Sequence, residues 1–323
     1  MVRFTVLASG SKGNSTVISG GRTRILVDAG LSCRELFRRM KQAGEEPETL
    51  NAIVVTHEHQ DHVNGLAVTA RKLGIPVYFT EATHRAWMRW LAPRRQMTYA
   101  QWLEQCRRQT AERQAEAETQ SAGTEPDDSD TVGAVAPGAD EVSAPEPEPA
   151  AKQDPTWLPA VEYFEAGQPF AIGDIHLSPF TTPHDAADPV GFVFRAEGVK
   201  MGFATDLGYI PPNVKAQLAG VDLLLLESNH DLEMLRDGPY PWTVKQRVLS
   251  RVGHLSNDAA AEFLDNSYDG QAAYVILAHL SENNNHPELA RVAAERALNG
   301  RASLLANRLL LARQNDPLSS LYF

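Results

Sequence analysis

Residues 54–65 read Val-Val-Thr-His-Glu-His-Gln-Asp-His-Val-Asn-Gly. Three of the chain's ten histidines fall within six positions there, His57, His59 and His62, together with Glu58 and Asp61. Imidazole and carboxylate are the ligand types of zinc, manganese and iron at sites that keep a coordination position open. The run Asn51-Ala-Ile-Val-Val before them reads as a strand buried on both faces. In the loop that follows, His57 and His59 point to one side, and Asp61 and His62 reach a second position one turn later. A polar surface loop with incidental histidines is the plain alternative. So many ligand types at the end of a buried strand argue against it.

Later segments supply further candidates. His184 follows Pro183 at a strand end, Asp206 closes "KMGFATD" and His279 closes "AAYVILAH". All three sit at the C-terminal ends of expected strands, where side chains gather in open α/β sheets. Taken singly, a capping aspartate and satisfied core histidines explain them as well. His254 stands in "GHLSN", just before a helix whose first N–H groups suit a phosphate. Ser256 or Asn257 would serve there as N-cap, substrate contact or both. Glu227 in "LLLES" is placed to orient His254, as a carboxylate behind a working imidazole does. His230 would contact substrate or simply lie at the surface. His84, His176 and His286 read as structural. The segment "SGSKGNST" lacks the spacing of a phosphate-binding P-loop and reads as a hairpin turn.

The elements that must position these groups are legible as well. "RFTVLAS", "NSTVISGG" and "TRILVDAG" read as strands with turns between them. A helix is expected near 34–43, the strand "NAIVVT" next, a helix over 64–73, the strand "IPVYFT", and helix again near 81–113. Beyond residue 156 come "EYFEAG", "FAIGDIHLSPFTTP", "GFVFRAEG", "KMGFATD", "VDLLLLES" and "AAYVILAHL" as strands. "SNDAAAEFLDNS" and "PELARVAAERALN" follow the helical pattern. Strand-rich blocks closed by helices predict an α/β sandwich with two sheets inside. Residues 118–155 are rich in Pro, Ala, Gly and acids, without aromatics or period. They read as disordered. Ligand candidates lie on both sides, so the expectation is one domain over 1–323 with an insert at about 114–156.

His-x-His-x-Asp-His after a hydrophobic strand resembles the signature of the metallo-β-lactamase fold. "LASGSKGNST", "DAGLSCREL", "PHDAADPVGF", "ATDLGY", "LLLESNHD", "GHLSN" and "LAHLSENN" are similar to the YycJ/WalJ-type branch, whose members are metallohydrolases associated with exonuclease activity on DNA. The resemblance implies an αββα four-layer sandwich and two divalent transition-metal ions, zinc, manganese or iron. It implies His57, His59 and His184 on one metal, Asp61, His62 and His279 on the other, and Asp206 between them. Asp61 would also orient the attacking water, whose pKa two cations lower towards neutrality. His254 would hold phosphate or protonate the leaving oxygen. Ser256, Asn257 and His230 would meet substrate, with Glu227 behind them. In that family the loop carrying Ser11, Asn14 and Ser15 also approaches the metals. A nucleic acid, DNA first, is the expected substrate. A thioester, a lactone or a cyclic phosphodiester is the alternative on the same fold.

Composition bounds the rest. The 323 residues carry a formal charge of −11. Residues 112–154 hold twelve acids and two bases, so the remainder is nearly neutral, with 29 acids and 28 bases. A basic groove would have to be local: residues 33–41, Arg94-Arg95, Arg107-Arg108, or Lys245, Arg247 and Arg251. Two cysteines, Cys33 and Cys106, make neither a disulfide framework nor a thiolate zinc site. No run is long enough to span a membrane, and the N-terminus lacks a signal-peptide pattern. The expected compartment is the cytoplasm.

Overall fold

The computed structural model describes residues 1–92, 103–104, 107, 154–299 and 308–323. Its elements belong to one unit, Met1–Leu91 with Pro155–Phe323. The expected insert at 114–156 lies outside the described residues except for 154–156, as do Arg94, Arg95, Cys106 and Arg108.

The first half runs β1 (Arg3–Ala8), β2 (Ser15–Gly20), β3 (Thr23–Val27), α1 (Cys33–Gln42), β4 (Ala52–Val54), α2 (Gln60–Val63), α3 (Leu66–Leu73), β5 (Val77–Phe79), α4 (Glu81–Leu91) and β6 (Val161–Tyr163). The second runs β7 (Phe170–Ile172), β8 (Ile175–Thr181), β9 (Val190–Ala196), β10 (Val199–Ala204), α5 (Pro212–Leu218), β11 (Leu223–Glu227), α6 (Leu232–Asp237), α7 (Trp242–Val248), α8 (Asn257–Asn266), β12 (Tyr274–Ala278), α9 (Pro287–Asn299), β13 (Arg308–Leu311) and β14 (Leu321–Tyr322). One sheet has the order β14-β1-β2-β3-β4-β5-β6, the other β13-β12-β11-β10-β9-β8-β7. The strands that lead into the site, β3 to β5 and β10 to β12, pair in parallel within each set of three.

The pattern of burial explains the apolar runs. In β4 the side chains of Ala52 and Val54 enter the core between the two sheets, while Ile53, like Val55 just after the strand, packs under the helices. In β11, Leu223 and Leu225 face the other sheet, and Leu224 and Leu226 face the second helical layer. A strand covered on both faces needs apolar residues at every position. Helix, sheet, sheet, helix is the αββα sandwich of the metallo-β-lactamase fold. Among the described residues, no helix is long and apolar enough to cross a membrane.

α1 differs from a plain solvated face. Arg39 is buried and donates to the carbonyls of Leu7 (3.2 Å) and Gln314 (2.6 Å). Local pattern gave no sign of β13, β14 or the helices α5 to α7.

Candidate metal centre

The strand ends deliver ligand-type side chains to one place. Asp28, Asp206 and His279 follow the last residues of β3, β10 and β12 with φ of 59°, 59° and 56°. Non-glycine residues in this left-handed region are strained, and such strain gathers at functional sites. The turns are packed tightly around them: a Cβ on Gly30 would overlap the Asp61 carbonyl.

Four groups of donors lie within 4.8 Å of one another: His57, His59 and His184; Asp61, His62 and His279; His57, His62 and Asp206; Asp206, Glu227, His254 and His279. All seven residues that the sequence offered as ligands are thus brought together.

Outer hydrogen bonds decide which nitrogen of each ring faces inward. His184 Nδ1 is 2.9 Å from the Gly253 carbonyl. His62 Nδ1 is 2.7 Å from Asp28 Oδ2. His279 Nδ1 and His254 Nδ1 are each 2.8 Å from Glu227 Oε1. A carbonyl or carboxylate oxygen only accepts. Each of these Nδ1 atoms therefore carries its proton, and each neutral ring keeps its lone pair on Nε2. Thr56 Oγ1 donates to Asp28 Oδ2 (2.9 Å) and so accepts from His57 Nδ1 at 3.0 Å. Partners of this kind fix tautomer and orientation in metal-binding histidines.

The arrangement fits cations. His59 Nδ1 stands 3.1 Å from His57 Nε2 and 3.2 Å from His184 Nε2. The outer bonds leave lone pairs on both Nε2 atoms, and a single proton on His59 can serve only one of them. Asp206 Oδ2 is buried and has no hydrogen-bond partner among the described residues. It lies 3.4 Å from His62 Nε2, while Oδ1 is 3.3 Å from His279 Nδ1 and 3.9 Å from His184 Nε2. An orphaned buried carboxylate oxygen facing imidazoles asks for a positive charge.

The protonation energetics agree. Burial, reinforced by His62 and His184, holds the His57 pKa far below the ordinary imidazole value. Burial and His184 push His59 down to about 4. For His62 and His279 burial pulls the same way, but the surrounding carboxylates, Asp206 first, outweigh it and hold both well above the ordinary value. Burial opposes ionisation of Asp61, Asp206 and Glu227. It is outweighed by His62 and His279 at Asp61, by His279 and His62 at Asp206, and by His254 and His279 at Glu227, so all three stay low. Without cations, protons on His62 and His279 must supply the charge that the acids demand.

Glu227 positions its neighbours. Oε1 holds His254 and His279, and Oε2 accepts from the backbone N–H of Leu207 (2.9 Å) and Leu255 (3.3 Å). His254 retains 21% side-chain exposure and packs beside the rings of His184 and His279.

The expected substrate contacts are placed differently. The Ser256 hydroxyl accepts from Ala259 N–H as the cap of α8. Asn257 is buried and bonded to Ser228 and Asn285. His230 is buried, with both ring nitrogens unpartnered among the described residues. Of the family loop, Asn14 reaches Asp61 Oδ2 and His62 Nε2, both at 3.1 Å. Ser15 bonds its neighbour's carbonyl, and Ser11 lines the depression that contains Asp61. Sequence reasoning passed over Asp28, Thr56 and Asp185. Asp28 directly follows a buried strand, the same local signal that marked Asp206. Asp185 pairs with Arg247 and leaves a buried Oδ1 3.6 Å from His184 Nε2.

Comparison with known proteins agrees with this geometry. Residues 8–244 match the family model of the metallo-beta-lactamase superfamily. The chain is 32% identical over 297 residues to exodeoxyribonuclease YycJ of Bacillus anthracis, covering 92% of this chain and 89% of that protein. It is 30% identical over 290 residues to exodeoxyribonuclease WalJ of Streptococcus pneumoniae, covering 90% and 86%. Among solved structures, the metallo-beta-lactamase fold protein YhfI from Bacillus subtilis is similar with a TM-score of 0.59 at 14% identity, covering 98% of each chain.

Proposed function

The chain belongs to the metallo-β-lactamase superfamily and is a metal-dependent hydrolase; from that premise we propose that it hydrolyses phosphodiester bonds of DNA from an end, with two divalent cations per chain. Asp206 carries the binuclear reading. It is buried, with Oδ2 3.4 Å from His62 Nε2 and Oδ1 3.9 Å from His184 Nε2, one imidazole of each proposed group. The names of the two exodeoxyribonucleases, similar over nine-tenths of the chain, support DNA as the substrate.

His57, His59 and His184 would hold one cation, Asp61, His62 and His279 the other, and Asp206 both. Bound, such ions supply Lewis acidity and lower the pKa of a water towards neutrality. Asp61 is 23% exposed, with Oδ2 held by Asn14 and His279. It would orient the attacking water and accept its hydrogen bond. His254 would place Nε2 towards the leaving oxygen while Glu227 holds Nδ1. With a second proton taken up from solvent on Nε2, the ring would hand that proton to the departing alkoxide as the phosphorus–oxygen bond breaks and return to its Nδ1–H form, a contribution of about 10²–10⁴-fold.

The test is turnover of the purified chain on end-labelled single- and double-stranded DNA and RNA, with zinc or manganese, beside a thioester, a lactone and a cyclic phosphodiester. DNA should be shortened from an end, with more than one equivalent of metal bound. Asp61→Ala should abolish turnover and leave the fold intact. His254→Ala should keep the metal and lose turnover. Rapid turnover of a small ester, with no nucleic acid cut, would overturn the substrate assignment. A single equivalent of metal, unchanged in Asp206→Ala, would overturn the binuclear one.

A further inference from the structure

A cavity of about 250 Å³ opens beside the donor cluster, between the motif loop and α4. Its walls include Trp87 and Trp90 from α4, Glu58 and Gln60 from the motif, and Asn64. Gln60 and Asn64 also line a second depression, which contains Asp61 and Lys12. The two depressions thus share a wall, and Asp61 lies on the far side of it. Trp87 is buried, packed on Phe79 and His84, and Trp90 stands 65% exposed.

Glu58 makes this more than an apolar hollow. The residue is only 8% exposed, with Oε1 accepting from the Ala187 N–H at 2.9 Å. Oε2 is buried and has no hydrogen-bond partner among the described residues. Glu58 is a wall of the mostly apolar cavity, and a buried carboxylate oxygen without a partner is costly unless a donor is brought to it. The volume lies below the ~300–1,000 Å³ of sites for drug-sized molecules, which suits one ring system and not a whole nucleotide.

We propose that this cavity is a nucleobase subsite for the strand under attack, taking a base that carries an exocyclic amine. The inference rests on the phosphodiesterase reading above. The base would lie against Trp90, since every base has a face that stacks on an aromatic ring. Its amino group would donate to Glu58 Oε2. Adenine, cytosine and guanine have such a donor and thymine has none, so the subsite discriminates against thymine. Gln60 and Asn64, both exposed, lie along the path between base and phosphate.

The metal-loaded full chain should be assayed on short DNA strands in which each position in turn is made abasic or varied among the four bases. A wholly abasic strand serves as the control without bases. Trp90→Ala should raise KM on ordinary strands by about tenfold to a hundredfold. kcat and turnover of the wholly abasic strand should not change. One abasic position should raise the wild-type KM similarly, and combining it with Trp90→Ala should add nothing. Glu58→Gln, checked for metal content, should erase the preference against thymine at that same position. Unchanged KM in Trp90→Ala, or no position sensitive to base removal, would overturn the subsite while leaving the nuclease standing. A fall in Tm without a kinetic change would overturn it equally. If the wild type cut no strand at all, the functional reading would fail, and the subsite with it.

Discussion

Glu227 Oε1 accepts from two imidazoles at once, those of His254 and His279, each at 2.8 Å. A glutamine there retains one acceptor oxygen but places an amide nitrogen where Oε2 now accepts from two backbone N–H groups. Glu227→Gln should therefore lower turnover by about 10–100-fold with secondary structure intact, as circular dichroism and steady-state kinetics would show. His84 permits a pH test away from the donor cluster. It stacks on Phe79 and Trp87 and meets Tyr163 Oη at 2.8 Å. Burial holds its pKa below the ordinary value, so the unfolded chain takes up its proton first as pH falls. The stabilisation by neutral His84 is thus complete above the ordinary imidazole pKa, about 6.5. It is lost as pH falls from there towards the folded value. Denaturant unfolding at pH 8 and pH 5 should show the wild type losing more stability than His84→Phe. Parallel losses would contradict the assignment.

At the scale of elements, α7 and the turn after it carry three cations, Lys245, Arg247 and Arg251, in the chain just before His254. Arg247 pairs with Asp185, Arg251 lies over the Tyr209 ring at 4.5 Å, and Lys245 donates to the Arg236 carbonyl at 2.6 Å. The Arg247 contact places its guanidinium beside Asp185, the residue after His184. If they also meet phosphates, affinity for DNA should fall by about 0.7–0.9 log units per log unit of salt for each contact. The Lys245/Arg247/Arg251→Ala variant should flatten that slope, measured by binding titrations at several salt concentrations. An equally steep slope in the triple variant would place the phosphate contacts elsewhere.

At the scale of the molecule, β5 and β6 pair in parallel, Val77 with Val161 and Phe79 with Tyr163, across the whole segment between them. The sheet is thus complete from residues that end at Leu91 and resume at Pro155. Replacing residues 118–153 by a short Gly/Ser linker should keep both Tm and turnover. The segment is strongly acidic, so its removal should also tighten DNA binding at low salt. A large loss of Tm or activity would show that the segment packs on the body or on the site.

The sequence by itself determined the types of side chain that gather at the site and the layers around it. Ligand type and spacing are written locally in His57 to His62. Unbroken apolar runs such as Ala52–Val55 and Leu223–Leu226 report strands covered on both faces, and Ser256 announced its own cap. The tertiary structure decided which nitrogen of each histidine faces inward, because that depends on oxygens far away in the chain: Asp28 for His62, Gly253 for His184, Glu227 for His254 and His279. It decided that Asn257 and His230 lie buried and that Arg247 meets Asp185. Periodicity and residue type are properties of neighbours along the chain. A proton's position and a side chain's partner are set by what folding brings alongside.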